Sequence, residues 1–146
     1  MSDARQLPDL LYELYESINR HDLDDLLRHF RPNAVLVSPA GVAEGHEEIA
    51  WHYEQIFTAF PDLAFTPWES AEPGDPALTE WTVNGTHTGP FLMPNGHALE
   101  ATGRRVTVRG CSACEMEDDL IVTHRVYFDQ LELYSQLGCD LTPTAS

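Results

Sequence analysis

Positive charge is scarce in this sequence: eight Lys and Arg stand against 24 Asp and Glu, a formal net charge of −16. Such a chain repels nucleic-acid phosphates and anionic membrane surfaces, so neither is expected as a partner. Cysteine is almost as rare. Cys111, Cys114 and Cys139 cannot make a complete disulfide framework, and the N-terminus lacks the basic and apolar blocks of a signal peptide. A reducing cytoplasm is therefore the expected compartment. Cys111-Ser112-Ala113-Cys114 is formally C-x-x-C, but no second pair accompanies it, and buried apolar cysteines are the expected reading. No apolar run approaches the ~20 residues of a membrane span. A dinucleotide fingerprint, a P-loop, zinc spacing and a serine nucleophile elbow are all missing, and no cofactor or metal is expected.

What remains is ordinary globular composition, 42% hydrophobic and 22% charged. A chain of 146 residues suits one domain around one core. We expect a single domain over 1–146, with an ordered core over about 6–138 and a loose tail over 140–146. Leu10, Leu11, Leu14, Tyr15 and Ile18 recur at three- and four-residue steps and predict a first helix. "HDLDDLLRHF" predicts a second, capped by Asp22, with Leu23, Leu26, Leu27 and Phe30 on its buried side and Pro32 and Asn33 as its stop. A strand pair turning at Pro39 and Gly41 follows. Ile49, Tyr53, Ile56, Phe57 and Phe60 then mark a third helix that Pro61 ends. From there to residue 128 the chain reads as four long strands, "LAFTPWESAEP", "ALTEWTVNGTHTG", "RRVTVRGCSACEM" and "LIVTHRVYF", with Pro-Gly, Pro-Asn-Gly and Asp-Asp turns between them. A short terminal helix closes the order. The sum is an α+β domain in which helices cover one face of a curved antiparallel sheet, and a sheet curled around a helix leaves a conical pocket.

The segments "FPDLAFTPWES", "VNGTHTGPF", "GRRVTVRG" and "VYFDQLELYSQLG", in this order and spacing, resemble the SnoaL-like polyketide cyclases (ester cyclases) of the nuclear transport factor 2-like superfamily. The resemblance spans almost the whole chain. It implies a conical α+β barrel with a deep apolar cavity, no cofactor, and assembly as a homodimer or homotetramer. It also implies a polycyclic polyketide substrate of the kind found in anthracycline-type antibiotic biosynthesis, closed into a ring by intramolecular aldol chemistry. Relatives associated with hydroxylation of the polyketide skeleton, and binding or dimerisation domains without chemistry, share the fold, so the fold alone does not choose among these functions.

The family's cyclases carry an acid/base aspartate near the end of the last strand, with a histidine two residues before it. This sequence departs from the pattern. Registering the histidine on His124 puts Val126 in the aspartate's place, whereas registering the aspartate on Asp129 puts Tyr127 in the histidine's. Strand alternation separates His124, Val126 and Phe128 from Thr123, Arg125, Tyr127 and Asp129, which share the other face. Asp129 has two readings: a carboxylate tuned upward by an apolar cavity into a base, or the first residue of an Asp-Gln-Leu-Glu capping box that holds it ionised. His124 is the second catalytic candidate, as a cavity donor. Arg109 and His87 are candidates for holding substrate oxygens, and "GPFLMPNGHALEATG" after His87 is a candidate lid. Tyr15, Trp51, Tyr53, Trp68 and Tyr127 are candidate walls for a polycyclic ligand.

Overall fold

The computed structural model describes residues 7–68, 76–93 and 95–139. The expected loose tail and the end of "LAFTPWESAEP" lie outside the described residues.

Helix α1 (Leu7–Asn19) buries Leu11, Leu14, Tyr15 and Ile18, the stripe its spacing predicts. At its C-terminal end the Asn19 amide donates to the Phe65 carbonyl (2.8 Å) and accepts from the Phe65 N–H (2.6 Å), tying the helix to a strand 46 residues on. Helix α2 (Leu23–Leu27) starts where the Asp22 carboxylate accepts from the Asp25 N–H at 3.1 Å. It stops earlier than expected, and Phe30 opens strand β1 (Phe30–Ser38) instead of closing the helix. Pro32 and Asn33 lie inside that strand, where pairing with the last strand slips between Phe30 and Val35. A proline cannot donate to a ladder, so it is accommodated at an irregularity of this kind.

Strand β2 (Gly41–Glu44) returns along β1. It leads into helix α3 (Gly45–Ala59), which buries Ile49, Tyr53 and Ala59. Strand β3 (Ala64–Pro67) pairs with β4 (Ala77–Thr86), β4 with β7 (Arg105–Glu117), and β7 with β8 (Leu120–Phe128). Between β4 and β7 a small hairpin, β5 (Phe91–Leu92) and β6 (Ala98–Leu99), interrupts what the sequence presents as one long connection. Helix α4 (Gln130–Gln136) ends the described chain. Asp118 and Asp119 carry φ of +52° and +65°, the left-handed pair that a two-residue hairpin of type I′ requires.

The six strands run β2-β1-β8-β7-β4-β3, every neighbouring pair antiparallel except β1 and β8, which are parallel. The curved, mainly antiparallel sheet with helices on it is the expected fold, and the parallel pair is the one feature that the sequence does not announce. Turn signals report hairpins, and no hairpin can join the first strand to the last in parallel. Helices α1 and α3 pack against β3 and β1, and α4 against β7. The buried side chains Leu14, Ile18, Leu36, Ile49, Trp81 and Ile121 meet in one apolar cluster between the helices and the sheet. No helix among the described residues is long and apolar enough to cross a membrane.

Candidate functional site

The sheet and helices do not close completely. A cavity of about 410 Å³ remains, bounded by α1, α3 and α4 on one side and by the inward residues of β4, β7 and β8 on the other. Alternation decides which residues reach it. On β8, His124, Val126 and Phe128 line the cavity, and on β7, Val106, Val108 and Ser112 do so. Trp81 on β4 lies opposite Gly110 in register, and a Cβ on that glycine would stand 2.3 Å from the indole ring. Gly110 therefore lets Trp81 lie across the sheet, where its Nε1–H donates to the Ser112 hydroxyl at 2.8 Å.

The polar groups gather among the deeply buried residues. His124 is 2% exposed, its Nδ1 lies 3.3 Å from the Cys114 sulfur, and its ring tilts against Phe30 with centroids 5.9 Å apart. His52, from α3, lines the same cavity and stands edge-on to Tyr53. The Tyr15 hydroxyl is buried and has no partner within hydrogen-bond geometry among the described residues, the Ser112 side chain being near enough to act on it. Burial raises both the Tyr15 and Tyr53 phenols, so each stays protonated. Burial, reinforced by the neighbouring His52, pushes His124 down to about 4, and burial alone takes His52 to about 4. At neutral pH both imidazoles are uncharged. No Asp, Glu, Lys or Arg lines the cavity among the described residues. The chamber is neutral inside an acidic protein, and it offers imidazoles, phenols, hydroxyl and amide groups rather than fixed charge.

Four of the residues singled out in the sequence meet here: His124, Tyr15, Tyr53 and Trp51 all line the cavity. The other five lie elsewhere. Asp129 is exposed and caps α4, its carboxylate accepting from the Leu131 N–H at 2.9 Å. The capping alternative is thus the geometry present, and Asp129 does not line the cavity. Arg109 sits on the outer face of β7 and reaches Glu132 at 3.5 Å in an exposed ion pair. Tyr127 is exposed on the outer face of β8, as parity dictates once His124 points inward. Trp68 is exposed, with its Nε1–H donating to the Thr82 hydroxyl at 2.8 Å.

His87 is fully buried but braces the connection after β4: its Nδ1 accepts from the Thr102 N–H at 3.1 Å, and its ring packs on Phe60 and Phe91. The candidate lid contributes Phe91, Leu92, Met93 and Gly96 to the cavity wall.

His52 and Ser112 were not singled out from the sequence. Ile49, His52, Tyr53 and Ile56 fall at i, i+3, i+4 and i+7, so helical spacing places His52 on the buried face of α3. Ser112 stands two residues before Cys114 in a strand whose alternate positions turn inward.

A family model described as SnoaL-like polyketide cyclase matches residues 9–137. No curated protein sequence matches the chain. Among solved structures, AclR from Streptomyces galilaeus, a proposed hydroxylase, is similar at 26% identity and a TM-score of 0.76, covering 90% of this chain and 94% of its own. IdmH from Streptomyces antibioticus, a proposed polyketide cyclase, is similar at 28% identity and a TM-score of 0.77, covering 92% and 100%. TsrD from Streptomyces laurentii is similar at 28% identity and a TM-score of 0.78, covering 94% and 98%.

Proposed function

Because the chain belongs to the SnoaL-like polyketide cyclase family, we propose that it closes a ring in a neutral, polycyclic polyketide by aldol-type acid/base chemistry, with the cavity histidines in place of a carboxylate. The observation that carries this reading is the uncharged, largely apolar chamber with two neutral imidazoles in its wall. Its volume, about 410 Å³, falls in the range of small-molecule sites.

The chemistry needs a base for a C–H flanked by carbonyls and a donor for the oxygen on which negative charge gathers. A lysine Schiff base is out of reach, since the sequence contains no lysine. The carbanion therefore has to be held as an enolate. One imidazole takes the proton and the other donates to the enolate oxygen. The enolate carbon attacks the internal carbonyl carbon, and the resulting alkoxide recovers the proton, so product and substrate are isomers. A buried imidazole is a weak base at rest, but the enolate forming beside it favours its cationic form, and that attraction is strong where water is excluded.

Similarity to a proposed hydroxylase supports a second reading, oxygen insertion into the polyketide skeleton within the same cavity. Incubation with a tricyclic or tetracyclic precursor bearing a free 1,3-dicarbonyl arm, with and without oxygen, separates the two. An isomeric product of unchanged mass that forms without oxygen is the expected result. A product heavier by one oxygen atom, formed only with oxygen present, would replace cyclisation by hydroxylation. Ligand binding without turnover would leave a binding domain.

A further inference from the structure

Cys114 and His124 are direct register partners on β7 and β8, and both are 2% exposed. Their Sγ···Nδ1 contact of 3.3 Å is the one side-chain hydrogen bond that either makes among the described residues. Burial pushes the thiol up to about 12 and His124 down to about 4, so near neutrality each is uncharged and carries one proton. Two arrangements are open. With the imidazole proton on Nδ1, it points at sulfur, a weak acceptor, and the thiol proton has no acceptor. With the proton on Nε2, the thiol donates into the Nδ1 lone pair, so the thiol proton and that lone pair are both satisfied, and the Nε2–H of a side chain that lines the cavity is left for a ligand.

We propose that Cys114 is a positioning residue: its thiol donates to Nδ1, holds His124 as the Nε2–H tautomer, and so makes His124 the donor to the substrate's oxygen, leaving proton abstraction to His52. The second half of this assignment rests on the proposed ring-closing function; the tautomer itself does not. The pairing orients the substrate as well. An enolisable 1,3-dicarbonyl enters with a carbonyl oxygen at the His124 end and its acidic C–H towards α3, which carries His52.

Long-range ¹H–¹⁵N correlation on the histidine-labelled protein at pH 7 tests the tautomer directly. The expected spectrum shows His124 with an unprotonated Nδ1 and a protonated Nε2. The reverse pattern would overturn the proposal. Cys114→Ser retains a donor and should keep this single-tautomer signature, whereas Cys114→Ala should shift both nitrogens towards values averaged over two tautomers; unchanged shifts in Cys114→Ala would also overturn it. In turnover of the precursor, Cys114→Ala should lower kcat several-fold with KM held, and Cys114→Ser should restore it. If the spectra agree while the unaltered protein does not turn over the precursor, the ring-closing reading fails and the tautomer assignment stands; if His124 and His52 variants both turn over normally, the donor and base roles given to them fall.

Discussion

His124 and Asp129 lie five residues apart, and the structure gives them opposite surroundings. The carboxylate is out in solvent, accepting from a helix N–H; the imidazole is enclosed at the wall of an oily chamber. Turnover should follow the imidazole. His124→Gln is expected to lower kcat by about 10²–10³-fold, the loss typical when a preorganised donor to a developing oxyanion is removed. Asp129→Asn keeps a capping side chain and should leave turnover unchanged, while Asp129→Ala should cost about 1 kcal/mol in a denaturant melt.

The buried imidazole also sets a pH dependence. The folded form of His124 binds its proton only near pH 4, whereas the unfolded chain binds it near 6.5. Between those values the unfolded state carries more protons, so stability falls as pH drops from 6.5 to 4 and levels off below. For a shift of this size the loss is on the order of 3 kcal/mol. Urea melts from pH 7 to 4 should show the decline, to which His52, held equally low by burial, adds its own share, and His124→Gln should make it shallower by the part that His124 contributes.

At the scale of the elements, β7 is bare at the point where Trp81, part of the cavity wall, lies across it. Gly110 faces Trp81 across the β4–β7 ladder, and an added methyl group would overlap the indole and the Tyr127 carbonyl, both within 2.7 Å. Gly110→Ala is expected to cost about 1–3 kcal/mol, the usual penalty of overpacking a dense core. It should also shift the Trp emission, because the indole loses its bed and its bond to Ser112. Nothing in "VTVRGCSAC" marks that glycine as a seat for a ring 29 residues away. The order of elements, by contrast, is legible. Three-and-four spacing places α1 and α3, and the Asp-Asp turn and Asp-Gln-Leu-Glu cap place the ends of β8 and α4. Period-two alternation sorts His124 from Tyr127 without error. Parity, however, tells only which residues share a face, so Arg109 was open until the curvature of the sheet put it outside with Glu132. The parallel β1–β8 pair and the β5–β6 hairpin depend on contacts far apart in sequence or only two residues long, where local patterns carry little signal.

For the whole molecule, charge and its absence are arranged in layers. A chain of net charge −16 encloses a chamber whose described walls hold no ionised group, so its ligand meets solvated carboxylates outside and neutral donors inside. Two consequences can be measured. Neutral ligands pay only the desolvation of their own polar atoms, which the imidazoles, phenols and Ser112 can pair again. A ligand carboxylate has no cation to meet, and an unpaired buried charge costs several kcal/mol. Titration of a neutral tetracyclic quinone-ketone should therefore quench Trp emission, since Trp51 and Trp81 border the cavity. It should also raise the melting temperature, by an amount corresponding to about 2.7 kcal/mol at a hundredfold excess over Kd. The corresponding free acid should bind at least tenfold more weakly. Because no ion pair is formed, the affinity of the neutral ligand should hardly change with salt. Strong salt dependence, or tighter binding of the acid than of its neutral counterpart, would mean that the ligand sits against Arg109 on the outer face of the sheet and not in the chamber lined by His124 and His52.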